Sequence, residues 1–166
     1  MILKSRHHFF LYNFFRLFYA KWKIEQHFHK VYLAGNYSEQ NKPLFVVSNH
    51  VSWWDGIWIM YLNVNMFKRK FHFMMLEEQI RKNKVCNMVG GYSVKKGSRS
   101  IIESLAYTAE LLKNKQNMVL VFPQGKIESL YTPTIQFENG FNNVLKKVHA
   151  EVQVVFIVNQ IGRAHV

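Results

Sequence analysis

The sequence lacks several features that would narrow its class. One cysteine, Cys86, stands among the 166 residues, so no disulfide can form within the chain. The Cys/His spacing of a structural zinc site is missing too, and we expect no bound metal. The most apolar stretch near the N-terminus, residues 9–20, is too short to span a bilayer. These absences argue against a disulfide scaffold and a zinc domain, and they leave the compartment open.

Acidic residues are also scarce. The chain has ten Asp and Glu and 22 Lys and Arg, which gives a formal charge of +12. Such a charge attracts anionic partners such as phospholipid surfaces, nucleic acid or phosphorylated cofactors. Fourteen Phe and four Trp exceed the needs of a small core and indicate an aromatic surface that faces something other than water, for which a lipid interface is suited. No nucleic-acid motif is recognisable, so we expect a membrane surface as partner and no nucleic acid.

Residues 1–30 are predicted to form an N-terminal helical segment. Phe10, Phe14, Leu17 and Phe18 recur at helical spacing among basic residues, as in an amphipathic helix that lies on a membrane. The alternative is a helix packed on the protein's own core. The amphipathic interpretation predicts a protein associated with a membrane surface.

Residues 31–166 are predicted to form one domain, cut short at its C-terminus because the chain ends soon after the last strand. Short apolar, β-branched runs alternate with segments that have the pattern of helices. The predicted strands are 44–48, 71–76, 92–95, 118–122 and 152–158. The predicted helices are 55–62, 77–82, 101–113 and 140–149. This order predicts an α/β fold with a mainly parallel central sheet flanked by helices and functional groups at the carboxyl ends of the strands.

A histidine and the only aspartate of the chain follow the first predicted strand. His50 lies on the strand-to-helix loop and Asp55 at the helix start, five residues later. A neutral imidazole can take a proton from an alcohol near pH 7, and a carboxylate on its other nitrogen fixes the tautomer. The alternative makes His50 a loop residue and Asp55 an ordinary carboxylate at a helix start.

Two further segments could bind an anion. A Pro-x-Gly turn with a cation ends the strand 118–122, and such a turn exposes backbone N–H groups to a phosphate or an oxyanion. Its residues are Phe122, Pro123, Gln124, Gly125 and Lys126. A basic loop with Lys95, Lys96 and Arg99 precedes the helix 101–113. A plain turn and a solvated basic loop are the alternatives.

These segments together resemble a known family. Asn49–Asp55, with the sequence Asn-His-Val-Ser-Trp-Trp-Asp, is similar to the His-x4-Asp block of the glycerolipid acyltransferases, which include 1-acylglycerol-3-phosphate acyltransferase. Phe122–Gly125 resembles that family's Phe-Pro-Glu-Gly block, and 91–99 falls at its basic substrate-binding block. The resemblance runs from about Leu44 to Val158.

The resemblance implies an O-acyltransferase, which we expect to work at the cytoplasmic face of a membrane. A fatty-acyl group would pass from acyl-CoA or acyl carrier protein to the hydroxyl of a lysophospholipid or related lipid, without a metal, cofactor or covalent acyl-enzyme. His50 would be the general base and Asp55 its partner. The basic loop and the turn would bind substrate, and Ser52 would support the loop.

Two departures from the family pattern concern the acceptor. Gln124 replaces the usual Glu, and Lys126 with Ile127 replaces the usual Thr-Arg, so the acceptor's head group stays open. Lys95 and Lys96 stand where the family has an Arg, and they offer charge without its planar fork. The alternatives are a soluble acceptor, a catalytically silent membrane-binding domain of the same fold, and a nucleic-acid-binding protein.

Overall fold

The computed structural model of the chain describes residues 2–95, 97, 100–138, 144, 146–148 and 151–162. Within these residues the strands are β1 Leu44–Ser48, β2 Lys70–Leu76, β3 Gly91–Val94, β4 Asn117–Val121 and β5 Gln153–Ile157. They form one sheet in the order β3-β2-β4-β1-β5, and every pair of neighbours is parallel. The predicted α/β fold with a parallel sheet is therefore confirmed.

Helical segments connect the strands. In the described part of the chain they are α1 Phe9–Phe14, a π-helical turn Phe15–Tyr19, α2 Ala20–His27, α3 Asp55–Leu62, a π-helical turn Asn63–Phe67, α4 Glu77–Lys82, α5 Lys84–Met88 and α6 Ser100–Leu111. β1 and α3 begin and end where the sequence predicts. The predicted helix 140–149 lies mostly outside the described residues, but the N–H of Val148 donates to the carbonyl of Val144 at 3.1 Å.

The central strands β1 and β4 are buried along their whole length and are largely apolar, whereas the outer strand β5 exposes Val154 and Phe156. β1 has no exposed residue, and its successive side chains enter two different cores. Leu44 and Val46 pack with the N-terminal helices and α3, whereas Phe45 and Val47 pack with α6. The molecule thus has three layers, with helices on each side of the sheet.

The N-terminal helices lie against the first of these cores. Tyr12, Ala20 and Ile24 are buried there, and the hydroxyl of Tyr12 accepts a hydrogen bond from the N–H of Phe71 at 2.9 Å. The exposed side is rich in apolar residues as well: Phe9, Phe10, Phe14, Leu17, Phe18 and Trp22. The helical segment is confirmed, and its amphipathic character stays a prediction because apolar side chains occupy the packed and exposed sides alike. None of the helices in the described residues is long and apolar enough to cross a membrane.

Candidate active site

Two loops meet at the carboxyl edge of the sheet. β1 and β4 are parallel neighbours, so the loop after Ser48 and the turn after Val121 leave the sheet side by side. The first loop contains His50 and leads into α3 at Asp55. The fold therefore brings together the His-x4-Asp segment and the Pro-x-Gly turn, which are about 70 residues apart in the chain.

The side chains of His50 and Asp55 are in direct contact. The His50 Nδ1 lies 2.8 Å from the Asp55 Oδ2. An ionised carboxylate can only accept hydrogen bonds, so Nδ1 is the nitrogen that donates the proton and Nε2 of the neutral ring is the free base. The His50 side chain is 22% exposed and that of Asp55 is fully buried, so the base is accessible while its partner is shielded.

The loop before α3 wraps around the Asp55 carboxylate. Its Oδ2 accepts hydrogen bonds from the N–H groups of Val51 at 2.8 Å and Ser52 at 2.9 Å. Its Oδ1 accepts one from the Ser52 hydroxyl at 3.0 Å, and that hydroxyl accepts one from the N–H of Trp54. A buried carboxylate needs such donors to stay charged, so the loop both stabilises and orients the partner of His50. Ser52 thereby supports the loop.

The turn after β4 holds the other sides of His50. The Phe122 ring stacks on the imidazole, with centroids 4.1 Å apart and an angle of 14° between the planes. The Gln124 Oε1 accepts a hydrogen bond from the His50 N–H at 2.6 Å, and the N–H of Glu128 donates to the His50 carbonyl at 2.8 Å. Gly125 has φ +64°, a value that favours glycine and lets the turn close.

Gln124 and Lys126 both have protein partners. The Gln124 amide is buried, and its Nε2 donates to the Glu128 Oε2. Lys126 lies 3.0 Å from the other oxygen of that carboxylate. These contacts, first that of Gln124 and then that of Lys126, lower the pKa of Glu128. The cation of the turn is therefore balanced by a neighbouring anion.

A pair of asparagines fastens the His50 loop to the edge strand. The Asn49 side chain donates to the Asn159 carbonyl at 3.0 Å and accepts from the Asn159 N–H at 2.6 Å. The Asn159 side chain donates in turn to the Ser48 hydroxyl at 3.0 Å. The predictions from sequence missed Asn159 and Glu128, because the pattern around neither residue indicates a contact with a loop so far away in the chain.

The predicted basic loop is farther from His50 than the turn is. Lys95 directly follows β3, and two strands separate β3 from β1. Three strand spacings of about 4.8 Å make roughly 14 Å, so the fold does not bring the Lys95 backbone next to His50. Lys96 and Arg99 lie outside the described residues. The described residues contain no group of three His, Cys, Asp or Glu that could bind a metal ion.

The fold and the pair define a class of protein in which a parallel α/β sheet presents a carboxylate-oriented histidine at its carboxyl edge. The model of the acyltransferase family matches residues 30–158. The chain therefore belongs to the acyltransferase family, of the 1-acylglycerol-3-phosphate acyltransferase type, which confirms the resemblance found in the sequence. A search of curated proteins found no match.

Proposed function

We propose that this acyltransferase moves a fatty-acyl group from acyl-CoA or acyl carrier protein to the hydroxyl of a lysophospholipid or related lipid alcohol. The single observation that supports this most is the geometry of His50. Its Nδ1 is bound to the buried Asp55 carboxylate, and its ring is still accessible to a substrate. An intact pair favours catalysis over the catalytically silent membrane-binding domain.

In the proposed reaction His50 acts as a general base. The acceptor hydroxyl gives its proton to Nε2 while its oxygen bonds to the thioester carbonyl carbon. The tetrahedral intermediate then collapses, the carbon–sulfur bond breaks, and the thiolate leaves with both electrons of that bond. The imidazolium returns the proton to the thiolate, so the products are the ester and the free thiol. Asp55 stabilises the imidazolium between these steps.

The turn after β4 is proposed to position the histidine as well as to line the acceptor site. The contacts of Gln124 and Glu128 fix the His50 backbone on both its N–H and its carbonyl side. Lys126 is 69% exposed and paired with Glu128, so it offers an approaching phosphate less net charge than an unpaired cation would. The pairing of Lys126 with Glu128 therefore supports a range of acceptors that includes lipid alcohols without a phosphate beside the reacting hydroxyl.

A membrane surface is the proposed location, at the cytoplasmic face. Exposed Phe10, Phe14, Phe18 and Trp22 are spaced four residues apart along the N-terminal helical segment. The C-terminal end of that segment approaches the active-site loop, because Phe28 contacts the Trp54 ring edge-to-face at 5.2 Å. A bilayer on the aromatic side would supply lipid substrates close to His50.

Transfer of a labelled acyl group tests the proposal. Acyl-CoA and acyl carrier protein serve in turn as donors to a panel of lysolipids and lipid alcohols, with the native chain and with His50→Ala. We expect product from the native chain and a loss on the order of 10³-fold or more in the variant, because alanine cannot accept the proton of the hydroxyl.

His29→Ala is the matched control, since His29 is exposed and makes no hydrogen bond, ion pair or ring contact within the described residues. It should retain full activity, and circular dichroism should show that all variants fold. Equal turnover by the native chain and His50→Ala would refute the catalytic role. Folded but inactive proteins across the whole panel would contradict the proposed substrates.

A further inference from the structure

A basic cavity lies at the amino edge of the sheet, opposite the active site. Its volume is about 240 Å³, several times the roughly 30 Å³ that a water molecule occupies in the liquid. It is lined by Arg16, Leu17, Asn63, Val64, Lys68 and Arg69. Lys68 and Arg69 come just before β2, whereas His50 follows the carboxyl end of β1. The length of a five-residue strand, about 16 Å, thus separates the two places.

The backbone around this cavity is unusual on both sides. Arg16 and Leu17 belong to the π-helical turn Phe15–Tyr19, and Asn63 and Val64 belong to the other π-helical turn. Such turns are rare and occur frequently at functional sites. Lys68 follows the second turn with φ +55°, a left-handed conformation that side chains other than glycine adopt only at a cost. Two rare turns and a strained lysine therefore frame one cavity.

The cations of the cavity differ in what they bind. The Arg69 guanidinium is paired with Glu39 and donates to the Lys115 carbonyl. Arg16 has no hydrogen bond or ion pair among the described residues, although its Nε is buried; its guanidinium only faces the Tyr12 ring at 5.9 Å. Lys68 also makes no ion pair in the described part of the chain.

This arrangement leaves positive charge uncompensated. The Asn63 amide brings no negative charge, and its oxygen already accepts a hydrogen bond from the Arg69 N–H while its nitrogen donates to the Arg69 carbonyl. No carboxylate lines the cavity in the described residues. A buried guanidinium N–H without an acceptor is costly, so the cavity is suited to an anion that brings acceptors of its own.

We propose that this cavity binds a phosphate group through Arg16 and Lys68. Arginine presents a planar fork and lysine a point charge, and phosphate accepts hydrogen bonds from both in several directions. Leu17 lines the cavity and also the neighbouring groove with Phe14, Phe18 and Trp22. A phosphate joined to an acyl chain would place the chain on that groove. The chemistry is shared by a phospholipid head group and a free phosphate ester, and the experiment separates them.

Titration of the ¹⁵N-labelled chain tests this site without any need for catalysis. The three probes are inorganic phosphate, glycerol phosphate and a short-chain phosphatidic acid below its micelle concentration. We expect the amide signals of Arg16 and Lys68 to shift with all three probes. The lipid should bind with the lowest dissociation constant. Arg16→Met and Lys68→Met should each weaken binding about tenfold, since each removes a charge-assisted hydrogen bond.

Three controls make the result decisive. Lys23→Met removes a cation of α2 that contacts the Tyr19 and Trp22 rings and does not line the cavity, so it should change the dissociation constant less than about twofold. Lys68→Gly should lose affinity while folding at least as well, because glycine accepts a positive φ. His50→Ala should bind phosphate normally, which separates this site from the proposed catalytic one.

Unchanged affinity in both Arg16→Met and Lys68→Gly would overturn the proposal. So would shifts centred on the active-site loop, or an equal loss in Lys23→Met, which would indicate attraction by net charge alone. Shifts with the lipid only would assign the site to a phospholipid head group. Equal affinity for all three probes would assign it to a free phosphate ester.

Discussion

Two histidines at different places in the sheet illustrate how surroundings decide what an imidazole can do. His50 lies beyond the carboxyl end of β1, partly exposed, with its Nδ1 on the Asp55 carboxylate. His72 lies inside β2, buried, with its Nδ1 2.9 Å from the Ser5 hydroxyl and its ring 4.7 Å from that of His7. Neither His72 nor His7 contacts a carboxylate in the described part of the chain.

The surroundings of His72 determine its protonation. Burial, aided by the positive charges of His7 and Lys70, lowers the pKa of His72 to about 3. His72 therefore stays neutral at any physiological pH and serves in packing. His50 has a carboxylate to stabilise its imidazolium, which is what a general base requires. A carboxylate within hydrogen-bond distance, and access to solvent, separate the proposed catalytic histidine from the structural one.

The largest effect should come from removing that carboxylate. Asp55→Asn keeps the shape of the side chain but removes its negative charge. His50 then has no anion at Nδ1, which is also the situation of His72. We expect the turnover number to fall by a factor on the order of 10³ to 10⁴, because the tautomer is no longer fixed and the imidazolium loses its partner. Steady-state kinetics with saturating acceptor measures this. Activity within threefold of the native chain would show that the carboxylate is dispensable.

The contacts on the backbone of His50 should have a smaller effect. Gln124→Glu places a carboxylate in hydrogen-bond contact with that of Glu128, and two such anions repel each other. The contacts of residues 124 and 128 with the His50 backbone should weaken. The turnover number should then drop about 10²-fold, as for other small misplacements of reacting groups. The loss should grow with pH, because a protonated carboxyl could still donate to its neighbour.

The double variant Gln124→Glu/Glu128→Gln is the matched control. It exchanges the amide and the carboxylate between the two positions. The carboxylate at position 124 can then accept from the His50 N–H, and the amide at position 128 can donate to that carboxylate. We expect at least a tenfold recovery over the single variant, which a loss of packing alone would not show. Equal activity of the single and double variants would mean that charge at this pair does not position the histidine.

The third effect concerns stability and belongs to His72. Its pKa is about 3 in the folded chain and 6.5 when unperturbed, so the unfolded chain binds more protons between these values. Lowering the pH from 7 to 5 should thus reduce the free energy of unfolding by about 2 kcal/mol through this residue. Urea unfolding at several pH values measures the slope.

His72→Leu should flatten that slope between pH 7 and 5. A smaller slope should remain, because burial also lowers the pKa of His7. His29→Ala should leave the slope as it is in the native chain. An unchanged slope in His72→Leu would contradict the assignment of the pH dependence to this residue.

Much of the fold follows from local pattern. The five strands occupy the predicted segments within about two residues, because buried parallel strands are continuous apolar runs with turn residues beyond their ends. α5 and the two π-helical turns were not predicted. Their local sequences contain no signal that distinguishes them from ordinary helix or loop, and their geometry depends on what packs against them.

The candidate site was predictable in part for a similar reason. His50 and Asp55 are five residues apart, so one short motif contains both. Asn159 and Glu128 were missed because their partners lie 110 and 78 residues away, and no spacing in the sequence records such a contact. Gln124 was predicted to bind substrate; the structure shows both ends of its amide in contact with protein groups, and a role in substrate binding stays a prediction.

The asparagine pair at the edge of the sheet bears on the order in which the site can form during synthesis. Asn49 leaves the ribosome with the histidine loop, whereas Asn159 emerges more than a hundred residues later. Until then the end of β1 has neither its neighbouring edge strand nor the two hydrogen bonds that fasten the loop. Until Asn159 has been translated, a nascent chain would therefore hold its histidine loop without these contacts, and that loop would take its final form only late in the synthesis of this domain.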